Sequence, residues 1–384
     1  MIKVLKAIVC LLVLFSWNLS FSQVSDDSIA DNRPKNEHFF EAYVYLISQD
    51  ALQSKDAFSV ANSLNIIGDF VLLGRNKSNS THLDYWVYTT EPSNPEESVP
   101  ELANNAGLLW NTNDLGTNVF LSGIGVLAFR QNLLNDRLLI KAGKLFPGVH
   151  YQSNYYAPNN SEVHMNNMLS GGPTSSWFGL LGLGLMAEYT DDYWFGKAGI
   201  HDASAVKEID FESLSDGAFM YIFEAGIKAN NSLDRRVSLL YSYVDDKPDK
   251  SPENAWSLGG VYEFGEQGFW SLYGRYTLRE GGLGKTEEVR IEDNKVIHGG
   301  FLGTTKKSPF HWKKAEIGLA WFIGVPTDYQ VSIGSNTQTG IETYFRWNFK
   351  KLIQAAFDFQ LIHTGVHLEP IIGARFKVGW NTLF

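Results

Sequence analysis

The chain has almost no cysteine. Of 384 residues only Cys10 is one, and it lies inside an apolar N-terminal run. Disulfides and thiolate-ligated metals are therefore excluded downstream of that run. Basic charge is also scarce, 32 Lys and Arg against 42 Asp and Glu. Nucleic-acid binding needs a basic footprint that displaces phosphate counterions, and an acidic chain does not supply it. Long hydrophobic runs are missing as well. Beyond the N-terminus the longest is Phe178–Ala187, about ten residues, half of what a transmembrane helix requires.

The N-terminal run reads as a targeting segment. Lys3 and Lys6 precede Ala7–Trp17, and Ser20-Phe21-Ser22 places small residues where a signal peptidase reads. The apolar core, about 11 residues, is too short to span a bilayer. Cys10 lies within that core and not after it, which excludes lipoprotein processing. The sequence predicts a signal peptide over 1–22, cleaved before Gln23, and one domain over 23–384. Without Lys3 and Lys6, 30 basic residues face 42 acidic ones, a formal charge of −12.

Aromatic residues, by contrast, are plentiful at 14%, and they recur at alternate positions. Trp256, Leu258, Tyr262 and Phe264 oppose Ser257, Gly259 and Glu263. Trp270, Leu272, Tyr276 and Leu278 oppose Ser271, Tyr273, Arg275 and Thr277. Ile341, Thr343, Phe345 and Trp347 oppose Glu342, Tyr344, Arg346 and Asn348, and the pattern continues through Phe357, Phe359 and Ile372. Period two means strands. One face of each is free of charge and the other polar. The segments run about nine to eleven residues, longer than sandwich strands and long enough to cross a bilayer when tilted. Hydrocarbon tolerates a sheet only when it closes on itself.

The fold class expected is therefore all-β, a transmembrane antiparallel β-barrel of about sixteen strands. Strands are expected near 39–47, 58–72, 82–90, 119–130, 137–145, 183–190, 193–200, 218–228, 236–244, 255–264, 269–279, 313–323, 328–335, 340–348, 353–362 and 370–380. On that count every long connection, 91–118, 146–182, 201–217 and 280–312, is odd-numbered. Both termini then lie on the side of the short turns, the periplasmic side of an outer-membrane barrel. Phe384 ends the chain, with Trp380, Val378 and Phe376 on its parity and Thr382 interrupting. This resembles the sorting signal read by the barrel assembly machinery.

Several apparent motifs are decoys. Gly284-Lys285-Thr286 lacks the leading glycine of a phosphate loop, since residue 279 is Arg279, and a charged stretch follows it in place of a helix. His150, His164, His201, His298 and His311 are scattered without the pairing a zinc site needs and read as surface histidines. No Gly-x-Ser-x-Gly elbow is present, so no catalytic residue, metal or cofactor is assigned.

One segment carries a family resemblance. Gly143-Lys144 ends a strand; Asn154, Tyr156-Ala157 and Asn166 follow. Phe129–Leu134 with Arg137-Leu138 precedes it, and Ala198-Gly199 with Asp202 comes later. This run resembles the carbohydrate-selective porins of the OprB type, with Met165 standing where that family commonly has an aromatic. The resemblance implies passive diffusion of sugars and a connection 146–182 that folds inward and narrows the channel. The residues expected to line it are Tyr151, Asn154, Tyr155, Tyr156 and Trp177 in that connection. On the strands they are Lys141, Glu188, Glu224, Tyr273, Arg275, Glu316, Glu342, Tyr344, Arg346, Asp358, Gln360 and Arg375. The expected partners are small sugars or other small polar solutes and outer-membrane lipids, and both a homotrimer and a monomer are compatible with the sequence. A general or ion-selective porin, a barrel enzyme and a surface-binding barrel are the alternatives.

Overall fold

Apolar side chains at every second position can all meet hydrocarbon only if the sheet has no edge. The computed structural model shows that solution: sixteen antiparallel strands among the described residues, each hydrogen-bonded to two neighbours in a closed ring. The described residues are 38–55, 57–74, 79–113, 120–153, 156, 163–169, 182–203, 217–229, 235–247, 250–265, 269–282, 285, 296–350 and 353–383. All belong to the unit Arg33–Phe384. The expected signal segment, Asn154, Tyr155, Trp177 and Phe384 lie outside them.

The strands are β1 Phe39–Ala51, β2 Phe58–Leu73, β3 Ser80–Pro92, β4 Leu121–Leu133, β5 Leu138–Leu145, β6 Gly182–Thr190, β7 Trp194–Asp202 and β8 Phe219–Lys228. There follow β9 Arg235–Val244, β10 Glu253–Phe264, β11 Trp270–Gly281, β12 Val296–Lys307, β13 Ala315–Pro326, β14 Gln338–Lys350, β15 Ile353–His363 and β16 Leu368–Leu383. Closure is made by β1 on β16, with Phe39 opposite Leu383 and Ala51 opposite Ile371. Two short helices interrupt the connections, α1 Val99–Asn105 and α2 Asp328–Ser332.

The alternation sorts as its chemistry requires. Leu239, Trp256, Leu258, Leu272, Trp321 and Phe357 are exposed on the outer face, while Ser257, Arg275, Glu342 and Gln360 on the opposite parity are buried inside. Even-numbered connections are short, the longest being 308–314, and every long one is odd-numbered. The barrel thus has a turn end, which the start of β1 and the end of β16 share, and a loop end.

The expected strand list contains two errors that cancel in the total. Val296–Lys307, expected as loop, is β12. Its glycines hide the alternation because neighbouring rings fill their place: a Cβ at Gly303 would run into the Tyr273 ring. Conversely 328–335, expected as a strand, holds α2. The Thr327 side chain accepts a hydrogen bond from the Gln330 amide at 3.3 Å and starts a helix there. Gly334, at φ +99°, follows the helix. The 313–323 strand consequently runs in the opposite direction through the wall from the one expected, and Gly324–Thr327 is not a turn-end connection.

Candidate functional site

Residues that face inward do not surround an empty cylinder. Two odd-numbered connections enter the barrel and bond to its wall. The first follows β3. Ser98 caps α1 by accepting from the Glu101 amide at 3.4 Å, and α1 buries Val99, Leu102 and Ala103. Leu108, Leu109 and Trp110 continue the apolar run into a cluster with Tyr156, Met168, Leu169, Tyr273, Phe322 and Ile362. Beyond it polar groups take over. Thr112 Oγ1 and Asn113 Nδ2 each donate to Gln49 Oε1 on β1 at 2.7 Å. Gln338 on β14 accepts from the Leu109 amide at 3.0 Å and donates to the Gly107 carbonyl at 2.7 Å.

The second connection follows β5, as the resemblance implies. It leaves through Gly143, whose φ of +136° is a conformation open to glycine and rare for other residues, and through the fully buried Lys144. Phe146 packs on Trp86. Gln152 then bridges three strands: its amide donates to Glu224 at 3.0 Å, its Nε2 to the Ser257 carbonyl at 2.9 Å, and its carbonyl accepts from Arg275 at 2.9 Å. Tyr156 stacks on Tyr273, centroids 5.4 Å apart and planes 13° apart, while its hydroxyl donates to Glu263.

Residues 163–169 reach the far wall. Glu342 on β14 accepts from the Met165 amide at 2.8 Å and the Asn166 amide at 2.9 Å, and lies 3.1 Å from His164 Nδ1. Asn166 Nδ2 donates to Gln360 on β15 at 2.7 Å. Burial, with Arg346 and Arg375 nearby, pulls the His164 imidazole down to about 3. The ring is therefore neutral, with Nδ1 facing Glu342 and Nε2 facing the Tyr273 hydroxyl at 2.5 Å. The two inward segments also meet each other, the Asn167 amide donating to the Asn111 carbonyl at 3.3 Å.

The expected lining residues thus fall into groups. Glu224, Tyr273, Arg275, Glu342 and Gln360 on the strands, with Tyr151 and Tyr156 in the connection, form the contacts that seat the inward segments or lie buried beneath them. Glu316 pairs with Arg346, Tyr344 bonds Thr305, Asp358 lies beside Gln360, and Arg375 is buried. Lys141 and Glu188 stay partly exposed on the β2–β7 wall. There Lys141 is 2.7 Å and Arg130 3.2 Å from Asp84, and Lys197 is 3.8 Å from Glu188 and 3.7 Å from Glu224. His82 Nδ1 is 2.7 Å from Asp69, which also bonds Arg130.

Three features were not expected. His164 and His201 are buried, not surface residues; an imidazole gives no sequence sign of the loop that covers it. The entry of 93–113 was missed, although Ser98-Val99-Pro100-Glu101 has the capping-box pattern and an apolar run follows. Gln49 and Gln338 were missed because their partners are 63 and 229 residues away.

No family model and no curated protein matches the sequence. Solved structures do match in shape. The high-pH structure of Pseudomonas putida OprB superposes with a TM-score of 0.69 at 13% identity, covering 90% of this chain and 94% of that one. Outer-membrane expressed OmpT of Vibrio cholerae gives 0.55 at 10% identity over 94% and 100%. At such identities the likeness is one of fold: the chain is a closed sixteen-stranded, porin-like barrel.

Proposed function

We propose that the chain is an outer-membrane porin that lets small polar solutes, carbohydrates foremost, diffuse through its interior without chemical change. It enters the membrane after loss of its signal peptide, with both termini periplasmic and Phe384 read during assembly. The observation that carries the reading is the pairing of interior charge. Asp84 with Lys141 and Arg130, Lys197 with Glu188 and Glu224, Glu316 with Arg346, and Lys307 with Glu263 each join opposite signs. A wall whose charges cancel in pairs exerts little selective field, whereas ion-selective filters use rings of one sign. Paired charges, amides and tyrosine rings still offer hydrogen bonds and flat apolar surface to a hydroxyl-rich solute.

Liposome swelling with sugars and with anions of matched size tests the reading, alongside reversal potentials in planar bilayers. Sugar entry faster than size dictates, with weak ion preference, is the expected result. Equal rates at equal size make the protein a general porin, and saturable block by phosphate overturns the carbohydrate reading.

A further inference from the structure

Resting on that outer-membrane reading, we infer that the outer rim of the turn end, from β9 to β14, docks the headgroups of anionic phospholipids in the leaflet it meets. The chain is acidic, with a formal charge of −10, yet its charge is distributed unevenly. Between Val296 and Phe357 the only acids are Glu316, Asp328 and Glu342. Glu316 and Glu342 are buried inside the barrel, and Asp328 opens α2 at the loop end. At the turn end the same stretch places Lys306, Lys313 and Lys314, and Lys350 and Lys351 follow in sequence. Arg235 joins them from β9. The turn-end sequence of this arc also holds Asp234 beside Arg235, Glu266 in the β10–β11 turn, and Glu263, which is buried and pairs with Lys307. The β6–β7 turn at the same end carries Asp191 and Asp192, so the basic arc is not a property of the whole rim.

The cations are set among rings that face outward. The Lys306 ammonium lies 4.9 Å from the Trp270 centroid, and the Arg235 guanidinium 5.0 Å from that of Tyr262. Trp312 stacks on Trp347 at 6.1 Å and 15°. Lys313 and Lys314 are exposed beside Trp312, and Lys314 also donates to the Phe349 carbonyl at 3.0 Å. The turn itself is built at a conformational cost. Ser308 and Phe310 both take left-handed angles, φ 51° and 55°, which side chains other than glycine seldom adopt. The outcome is a Phe310 ring that is 73% exposed. An exposed phenylalanine between lysines is a poor arrangement in water and a good one at a membrane interface, where rings sit at headgroup level and ammonium groups meet phosphate.

The test uses folded full-length barrel in zwitterionic detergent, titrated with phosphatidylglycerol or phosphatidylcholine and read by native mass spectrometry. Tighter binding of phosphatidylglycerol is expected. The variant carrying Lys306→Gln, Lys313→Gln and Lys314→Gln should lose at least tenfold of that affinity, since each cation near an anionic surface is worth about fivefold. Lys55→Gln at the loop end should leave it unchanged. If the triple variant does not fold, native protein suffices: the preference should fall as salt rises and return on dilution. Equal binding of both lipids, or a triple variant that binds like the native chain, overturns the inference. Displacement by equimolar inorganic phosphate does the same, because it identifies a free-anion site. Sugar flux is measured after the same preparations are reconstituted into liposomes. Lost lipid preference with intact flux strikes this inference alone, and lost flux with intact preference strikes the transport reading alone.

Discussion

Glu342 shows how much one side chain can carry when its partners come from a distant segment. Its carboxyl group takes two amide protons and faces an imidazole, all from residues 164–166. Glu342→Ala should strand two buried amides and His164, a loss of about 2–4 kcal/mol, seen as a lower melting midpoint with the barrel's strand signal retained below it. Glu342→Gln, which keeps one acceptor oxygen, should lose less. His164 adds a pH dependence whose sign follows from its depressed pKa. Folded near 3 and unfolded near 6.5, it binds more protons when the segment is released. Its contribution is therefore complete above about pH 6.5 and declines as pH falls toward 3, by up to a few kcal/mol. On acidification from pH 7 to 4 the melting midpoint of His164→Asn should fall less, or rise more, than that of the native chain. The parity of Glu342 was legible in the sequence and its partners were not, because period two reports which face a residue occupies and nothing of what crosses the interior to meet it.

At the level of elements, long aromatic strands were legible throughout β9–β11 and β13–β16, where each ring stands on its own strand. Legibility failed at β12 because Tyr273 and Tyr276 on β11 lie over Gly303 and Gly300, so the hydrophobic signal of one strand is written in the sequence of its neighbour. It failed again at α2, where Tyr329, Val331 and Ile333 alternate by accident in a segment that Thr327 starts as a helix. The two readings place residues 308–314 and residues 324–328 each on opposite sides of the membrane, so topology decides between them. With Cys10 removed, a cysteine at Asp328, exposed at the start of α2, should react with a membrane-impermeant maleimide on intact cells. One at Lys313 should react only after the outer membrane is opened. The reverse pattern would restore the strand list expected from alternation and remove β12.

For the whole molecule the governing fact is that charge inside the barrel is abundant and locally cancelled. The formal charge of −10 therefore says little about what the interior prefers. Selectivity should respond most to breaking a pair whose members remain partly in contact with water, and Asp84 meets that condition. It sits between Lys141 and Arg130, with all three side chains between 13% and 19% exposed. Asp84→Asn removes one negative charge and leaves Lys141 without this carboxylate; Arg130 keeps Asp69. An ion passing roughly 8 Å away through water would feel the uncompensated charge as about 0.5 kcal/mol, further reduced by salt. The chloride-to-potassium permeability ratio should accordingly rise by roughly twofold in dilute electrolyte and by less at high salt. Swelling rates with neutral sugars should not change, because a hydroxylated solute carries no charge for the field to act on. Asp84→Asn thereby separates two accounts of this wall. If ion preference shifts while sugar flux holds, the charges serve mainly to neutralise one another along a path for neutral solutes. If sugar flux falls in proportion to the change in ion preference, Asp84 contacts the sugar directly, and the β2–β7 wall is a binding surface instead of an electrostatically quiet boundary.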